Sequence, residues 1–115
     1  PSLRGMCMEH GAFWVPSWLK SLDFTYGAYL PRREFVEKPS DTARRCLKFS
    51  PFAGEPVGWI IENTSPDMIC YASDYPHPEG GSDPISKFEA TMVGCDEDTM
   101  SKFYHGNMQA LMSLA

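Results

Sequence analysis

Three short apolar runs, Met6-Cys7-Met8, Cys46-Leu47-Lys48-Phe49 and Met68-Ile69-Cys70-Tyr71-Ala72, each give way to a stretch of helical periodicity. This alternation constrains the fold more than any other feature. Strands that alternate with helices predict parallel βαβ units with right-handed crossovers. Near-continuous apolar runs suit strands covered on both faces. After the first run, Pro16 suits a first helical turn, and Trp18, Leu19, Leu22 and Tyr26 come next at helical spacing. Pro31, Pro39, Arg32 and Arg33 make residues 27–43 an irregular loop, with a short helix N-capped by Ser40. Gly54-Glu55-Pro56 opens a helix with Val57, Ile60 and Ile61 as its apolar stripe. Asp83-Pro84 is a helix start whose buried face is Ile85, Phe88 and Met92, and Asp96-Glu97-Asp98 is another. Gly106-Asn107 interrupts the final helical stretch, with Asn107 as the N-cap of a last helix. The predicted order is strand, helix, strand, helix, strand, helix, helix. Three strands alone leave two open sheet edges, which invite completion by another segment.

The 115 residues form one segment, 1–115, with 43% hydrophobic and 22% charged residues, a globular composition. A net charge of −5 gives no footprint for nucleic acid. No apolar run approaches the roughly 18 residues of a membrane span. Four cysteines without a CxxC pair argue against structural zinc and for reduced thiols in a cytoplasmic protein, with a disulfide framework as the alternative. Pro1-Ser2-Leu3-Arg4 has neither an initiator Met nor a signal pattern, so the numbering is expected to start inside a longer polypeptide.

In parallel α/β folds, reactive groups gather at the C-terminal ends of strands. That rule selects Glu9 and His10 after the first run, and Asp74 and His77 after the third. A carboxylate at Asp74 can bind a divalent metal or accept a proton from water. An aspartate in such a place also serves as an N-cap or Asx-turn residue, and both roles stay open. His10 as neutral imidazole can ligate a metal, polarise a substrate oxygen, or simply hydrogen-bond at a strand end. If the extended backbone persists, Glu9 faces the opposite side and pairs with Arg4, Arg32 or Arg33. His77 lies between two prolines and is a weak pocket candidate; Trp14, Trp18 and Trp59 read as core, with Trp14 or Phe13 as a weak pocket alternative because both follow His10 closely. His105 reads as structural or solvent-facing, and Gly80-Gly81 is weak as a phosphate loop.

The string "ICYASDYPHPEGG" resembles the last barrel strand and loop of the amidohydrolase-2 family, metal-dependent hydrolases and decarboxylases related to aminocarboxymuconate-semialdehyde decarboxylase. "EHGAFWVPSWLKSLD", "EKPSDTARRC" and "FYHGNMQALM" resemble, in order, the sixth-strand motif, the segment before strand seven and the terminal helix. The resemblance covers essentially the whole chain. It implies an α/β fold, the C-terminal portion of a (β/α)8 TIM barrel, about strands six to eight with their helices. It also implies a divalent metal, zinc by preference, with Asp74 as metal ligand and proton acceptor and His10 as contact to substrate or water. His77 carries over only as a pocket residue. The sequence has three histidines and no HxH pair, so the rest of the family's ligand set is not in it. An acid three residues after the strand-six histidine, found in some decarboxylases, is replaced by Phe13.

These features support three functional expectations. The first is the C-terminal part of a metal-dependent enzyme acting on a small-molecule substrate, inactive as an isolated segment. The second is a non-catalytic barrel remnant serving in binding or assembly. The third is one chain of a barrel completed in trans. A homo-oligomer is compatible with each.

Overall fold

The computed structural model describes residues 3–29 and 36–113. β1 (Gly5–Cys7) runs parallel to β2 (Leu47–Phe49), with Gly5 opposite Leu47, Met6 opposite Lys48 and Cys7 opposite Phe49. The third apolar run flanks β2 on its other side through one parallel bridge, Phe49 opposite Ile69. There the Phe49 N–H donates to the Met68 carbonyl at 2.8 Å and the Cys70 N–H to the Phe49 carbonyl at 2.9 Å. The helices are α1 (Val15–Tyr29), α2 (Pro39–Cys46), α3 (Val57–Asn63), α4 (Pro84–Thr91), α5 (Glu97–Ser101) and α6 (Asn107–Met112). Among the described residues no helix is long and apolar enough to cross a membrane.

α1 runs further than the sequence predicts, through Gly27 to Tyr29. Pro31, Arg32 and Arg33 lie outside the described residues. α2 starts one residue before the predicted cap: Lys38 is its N-cap, and Ser40 is a buried residue inside the helix. The reason is a cap supplied by another helix. Asp23 on α1 accepts from the Ser40 N–H at 3.1 Å and from the Ser40 hydroxyl at 2.8 Å. A neighbouring carboxylate thus satisfies an orphan donor of the first turn, and Lys38 makes no side-chain cap. Burial pushes the Asp23 carboxyl up, but the two Ser40 hydrogen bonds and the charges of Lys38 and Arg44 outweigh it and hold it below the usual carboxylate range. A carboxyl lowered on folding adds stability above the unfolded value of about 3.9, and that stability is lost as pH falls through the lower folded value. Asp23→Asn is therefore expected to flatten the acid limb of stability. Denaturant unfolding between about pH 5 and 2 checks this, and an unchanged acid slope would contradict the cap.

The core joins Val15 and Leu19 of α1, Phe49 of β2, Val57 and Ile60 of α3, Met68 and Ile69 of the third run, Phe88 of α4 and Phe103. Trp59 is not core: it is 45% exposed, tilted against Phe13 with ring centroids 5.4 Å apart. All four cysteines are free thiols. Burial pushes the Cys70 thiol up to about 11, which keeps it protonated and unreactive at neutral pH.

The predicted break at Gly106-Asn107 does not occur. A π-helical turn, Lys102–Gly106, carries α5 straight into α6, and both Gly106 and Asn107 are helical. Asn107 is no N-cap. Its buried amide donates to the carbonyls of Pro66 at 2.7 Å and Ile69 at 2.9 Å. The wider turn also leaves the Phe103 carbonyl to accept from the Tyr71 N–H at 2.8 Å. Ile69 and Tyr71 thus spend their outward backbone groups on the terminal helix, as buried backbone must find partners. One of the two predicted open edges is covered for this reason, and the third run is a bridge rather than a long strand.

Candidate functional site

The C-terminal ends of all three parallel segments converge on one cleft of about 280 Å³. Met8 and Glu9 line it from the end of β1, Ser50, Pro51 and Phe52 from the end of β2, and Ala72, Ser73, Asp74, Tyr75 and His77 from the end of the third run. No single segment could make this wall; parallel pairing puts the three ends side by side.

Asp74 has a left-handed backbone, φ 59°, which aspartate tolerates better than most residues. The peptide bond between Tyr75 and Pro76 is cis. The chain then folds back: the His77 N–H donates to the Asp74 carbonyl at 2.7 Å, and a 3₁₀ turn, Pro78–Gly80, closes with the Gly80 N–H on the His77 carbonyl at 3.2 Å. Gly80 is buried, and a side chain there would collide with the Ser73 carbonyl and press on the Asp74 Cβ. Gly80 is therefore a packing residue that lets the loop close over Asp74, not part of a phosphate cradle.

The Asp74 side chain is only 18% exposed. Its Oδ1 lies 3.3 Å from His77 Nδ1. Its Oδ2 is shut off from solvent and has no hydrogen-bond partner among the described residues. Asp74, His77 and Glu79 each offer a donor atom, and these atoms all lie within 4.8 Å of one another. The Asp74 carboxylate is not used as the N-cap of α4; Asp83 takes that role, accepting from the Ser86 N–H at 3.2 Å.

The other predicted residues fall around this cleft. His10 is exposed just beyond the end of β1, and its carbonyl accepts from Trp14 Nε1 at 3.1 Å. Trp14 stands outside the cleft lining, in edge contact with Trp18 and Phe49. Glu9 departs from its predicted direction. The extended backbone stops at Cys7, and Glu9 turns left-handed, φ 62°, so that it joins the cleft wall. Arg4 is spent elsewhere, donating to the Ala110 carbonyl of α6 at 2.7 Å. Gly11, also left-handed at φ 62°, lets Glu55 approach and accept from the Ala12 N–H at 2.8 Å. That clamp fixes the turn carrying Glu9 and His10. His105 contacts Ser101 and Gln109 one helical turn either side and takes no part in the cleft. Glu79 is the one member of the cluster that sequence pattern does not single out. Its only signal is its place two residues after His77.

No family model matches this chain, and no curated protein matches it. Solved structures do match, and one of them has a TM-score of 0.76 and 26% sequence identity over 96% of this chain. That protein is an amidohydrolase. It comes from Mycobacterium avium subsp. paratuberculosis K-10, and this chain spans 28% of its length. The likeness supports an amidohydrolase origin for the segment.

Proposed function

We propose that this chain is the C-terminal part of a metal-dependent amidohydrolase-family enzyme, carrying about strands six to eight of a (β/α)8 barrel. The observation that carries the proposal is Asp74. Its carboxylate sits at the end of the third parallel segment, in the cleft, with one oxygen buried and unpartnered. A buried, unsatisfied carboxylate oxygen is costly unless a cation or proton meets it, so Asp74 fits the place of a metal ligand. When bound, a divalent metal such as zinc supplies Lewis acidity for hydrolysis of a C–N or C–O bond, or for non-oxidative decarboxylation of a small organic acid or ring substrate.

The residues of this chain divide the remaining work. Asp74 would hold the metal through a carboxylate oxygen and would serve as the proton acceptor at the reacting centre. His77 Nδ1, beside Asp74 Oδ1, keeps the carboxylate in one orientation. His10, exposed at the Gly11 turn, orients substrate or water. Tyr75, 88% exposed beside Asp74, is available to cover a substrate. The further metal ligands would come from the rest of the barrel, supplied in cis or in trans; among the described residues β1 pairs with β2 on one side alone.

A second reading, a non-catalytic binding or assembly module, is favoured by one feature. The terminal helix already occupies the outward groups of Ile69 and Tyr71, which gives the segment a more self-contained core. The reading frame upstream of Pro1 separates the two. The enzyme reading expects an HxH pair after an early strand, turnover by the extended protein, and none by the 115-residue chain with added zinc. A frame without HxH, or turnover by the short chain at the rate of an intact enzyme, contradicts it.

A further inference from the structure

We infer that the N-terminal ends of the parallel segments carry a binding site for a small organic phosphate monoester, built from Arg4, Arg45 and Lys48. The site lies at the opposite end of the sheet from the strand-end cleft and shares no residue with it.

The cavity there measures about 560 Å³, within the range of small-molecule sites. Strand pairing assembles it. Gly5 sits opposite Leu47, so Arg4, just before β1, is brought beside Arg45 and Lys48, which flank the start of β2. Among the described residues no carboxylate lines the cavity, although the chain as a whole has a net charge of −5. A wall of cations alone therefore runs against the composition of the chain.

Each cation is held in place. Arg4 Nη1 donates to the Ala110 carbonyl at 2.7 Å and to the Ser113 hydroxyl at 3.4 Å. Arg45 Nη2 pairs with Glu37, and Lys48 Nζ donates to the Asp67 carbonyl. Helix C-terminal ends attract cations on their own account, which explains Arg4 at the last turn of α6 and Arg45 in the last turn of α2. Lys48 has no such reason to be there: it lies on β2 and bonds to no helix carbonyl.

The held groups still have donors to offer. A guanidinium has five N–H groups and an ammonium three. Arg4 engages Nη1 alone, which leaves its Nε and Nη2 edge for the paired contact that arginine makes with phosphate. Glu37 offsets the charge of Arg45, and the charges of Arg4 and Lys48 match a phosphate dianion. Leu3 and Leu111 line the same cavity and suit an organic body attached to the phosphate, rather than the free ion.

The test is a ¹H–¹⁵N NMR titration of the 115-residue chain with phenyl phosphate, inorganic phosphate and phenol. It is run at low salt and about pH 7.5, where the monoester is dianionic. Phenyl phosphate is expected to give saturable shifts confined to the surroundings of Arg4, Lys48 and Ser113. It should bind about 3–10-fold more tightly than inorganic phosphate, because its ring covers apolar surface. Phenol should not bind. Lys48→Met and Arg4→Gln should each weaken phenyl phosphate binding by about 10-fold or more. Lys20→Ala removes the same charge from an exposed position on α1 and should leave binding unchanged. The dispersion of each variant's spectrum reports its folding; Arg4 is exposed, so Arg4→Gln decides the matter if Lys48→Met does not fold. No saturable shifts, shifts centred elsewhere, or wild-type affinity in a folded Lys48→Met or Arg4→Gln variant would each overturn the proposal. So would phenol or inorganic phosphate binding as tightly as phenyl phosphate. The outcome is independent of the enzyme reading, because no residue of the strand-end cleft takes part.

Discussion

Asp74→Asn in the complete parent enzyme is expected to lower kcat by about 10²–10⁴-fold, the loss usual for a positioned proton acceptor. The substitution is chosen for its economy. Asparagine tolerates the left-handed backbone at this position as aspartate does, so the turn survives. An amide oxygen can still face His77 Nδ1, and the size of the side chain is unchanged. What is lost is the negative charge and the ability to take a proton. A folded variant with kcat within a factor of about ten of the wild type would remove Asp74 from the chemistry. It would leave the buried oxygen to be explained as structural.

Phe103→Ala is expected to destabilise the chain by about 3–5 kcal/mol and to lower its melting temperature by roughly 10–20 °C. Phe103 is 1% exposed and sits in edge contact with Phe88 at 5.3 Å, Tyr71 at 6.0 Å and Tyr104 at 5.0 Å. Its backbone carbonyl also anchors the third parallel segment through the Tyr71 N–H. Truncation opens a cavity in the place where the terminal helix is bonded to the sheet, so packing and edge coverage weaken together. Phe24→Ala is the control: Phe24 is 73% exposed on α1, and its loss should change stability by no more than about 0.5 kcal/mol. Chemical denaturation of both variants decides the matter. A Phe103→Ala loss below about 1 kcal/mol would mean that the aromatic cluster does not hold the helix in place.

The parallel order of segments was legible because it depends on local pattern. Apolar runs near Met6, Phe49 and Ile69 became paired segments, and Pro16, Pro84 and the Asp83 and Asp96 caps appear where helix starts were predicted. The misplaced features share another character: most depend on a residue distant in sequence. Ser40 reads as a cap until Asp23, 17 residues away, arrives to cap the helix from outside. Asn107 after a glycine reads as a helix start until its amide is needed by Pro66 and Ile69, 41 and 38 residues earlier. Glu9 reads as facing away because extended backbone alternates, and the structure ends the strand at Cys7 and turns Glu9 into the cleft wall.

The same division runs through the site. Sequence by itself determined that Asp74 and His77 stand at the end of an apolar run in a loop stiffened by Pro76 and Pro78, because run ends and proline positions are properties of neighbours along the chain. Only the tertiary structure decided that Asp74 keeps one oxygen buried and unpartnered, that His77 and Glu79 gather on it, and that Glu9 shares the cleft. Those outcomes depend on Gly80 packing beneath Asp74, and on parallel pairing that brings Gly5 opposite Leu47 and Phe49 opposite Ile69. Burial and proximity of this kind are set by which surfaces meet, a quantity that no local stretch of sequence contains.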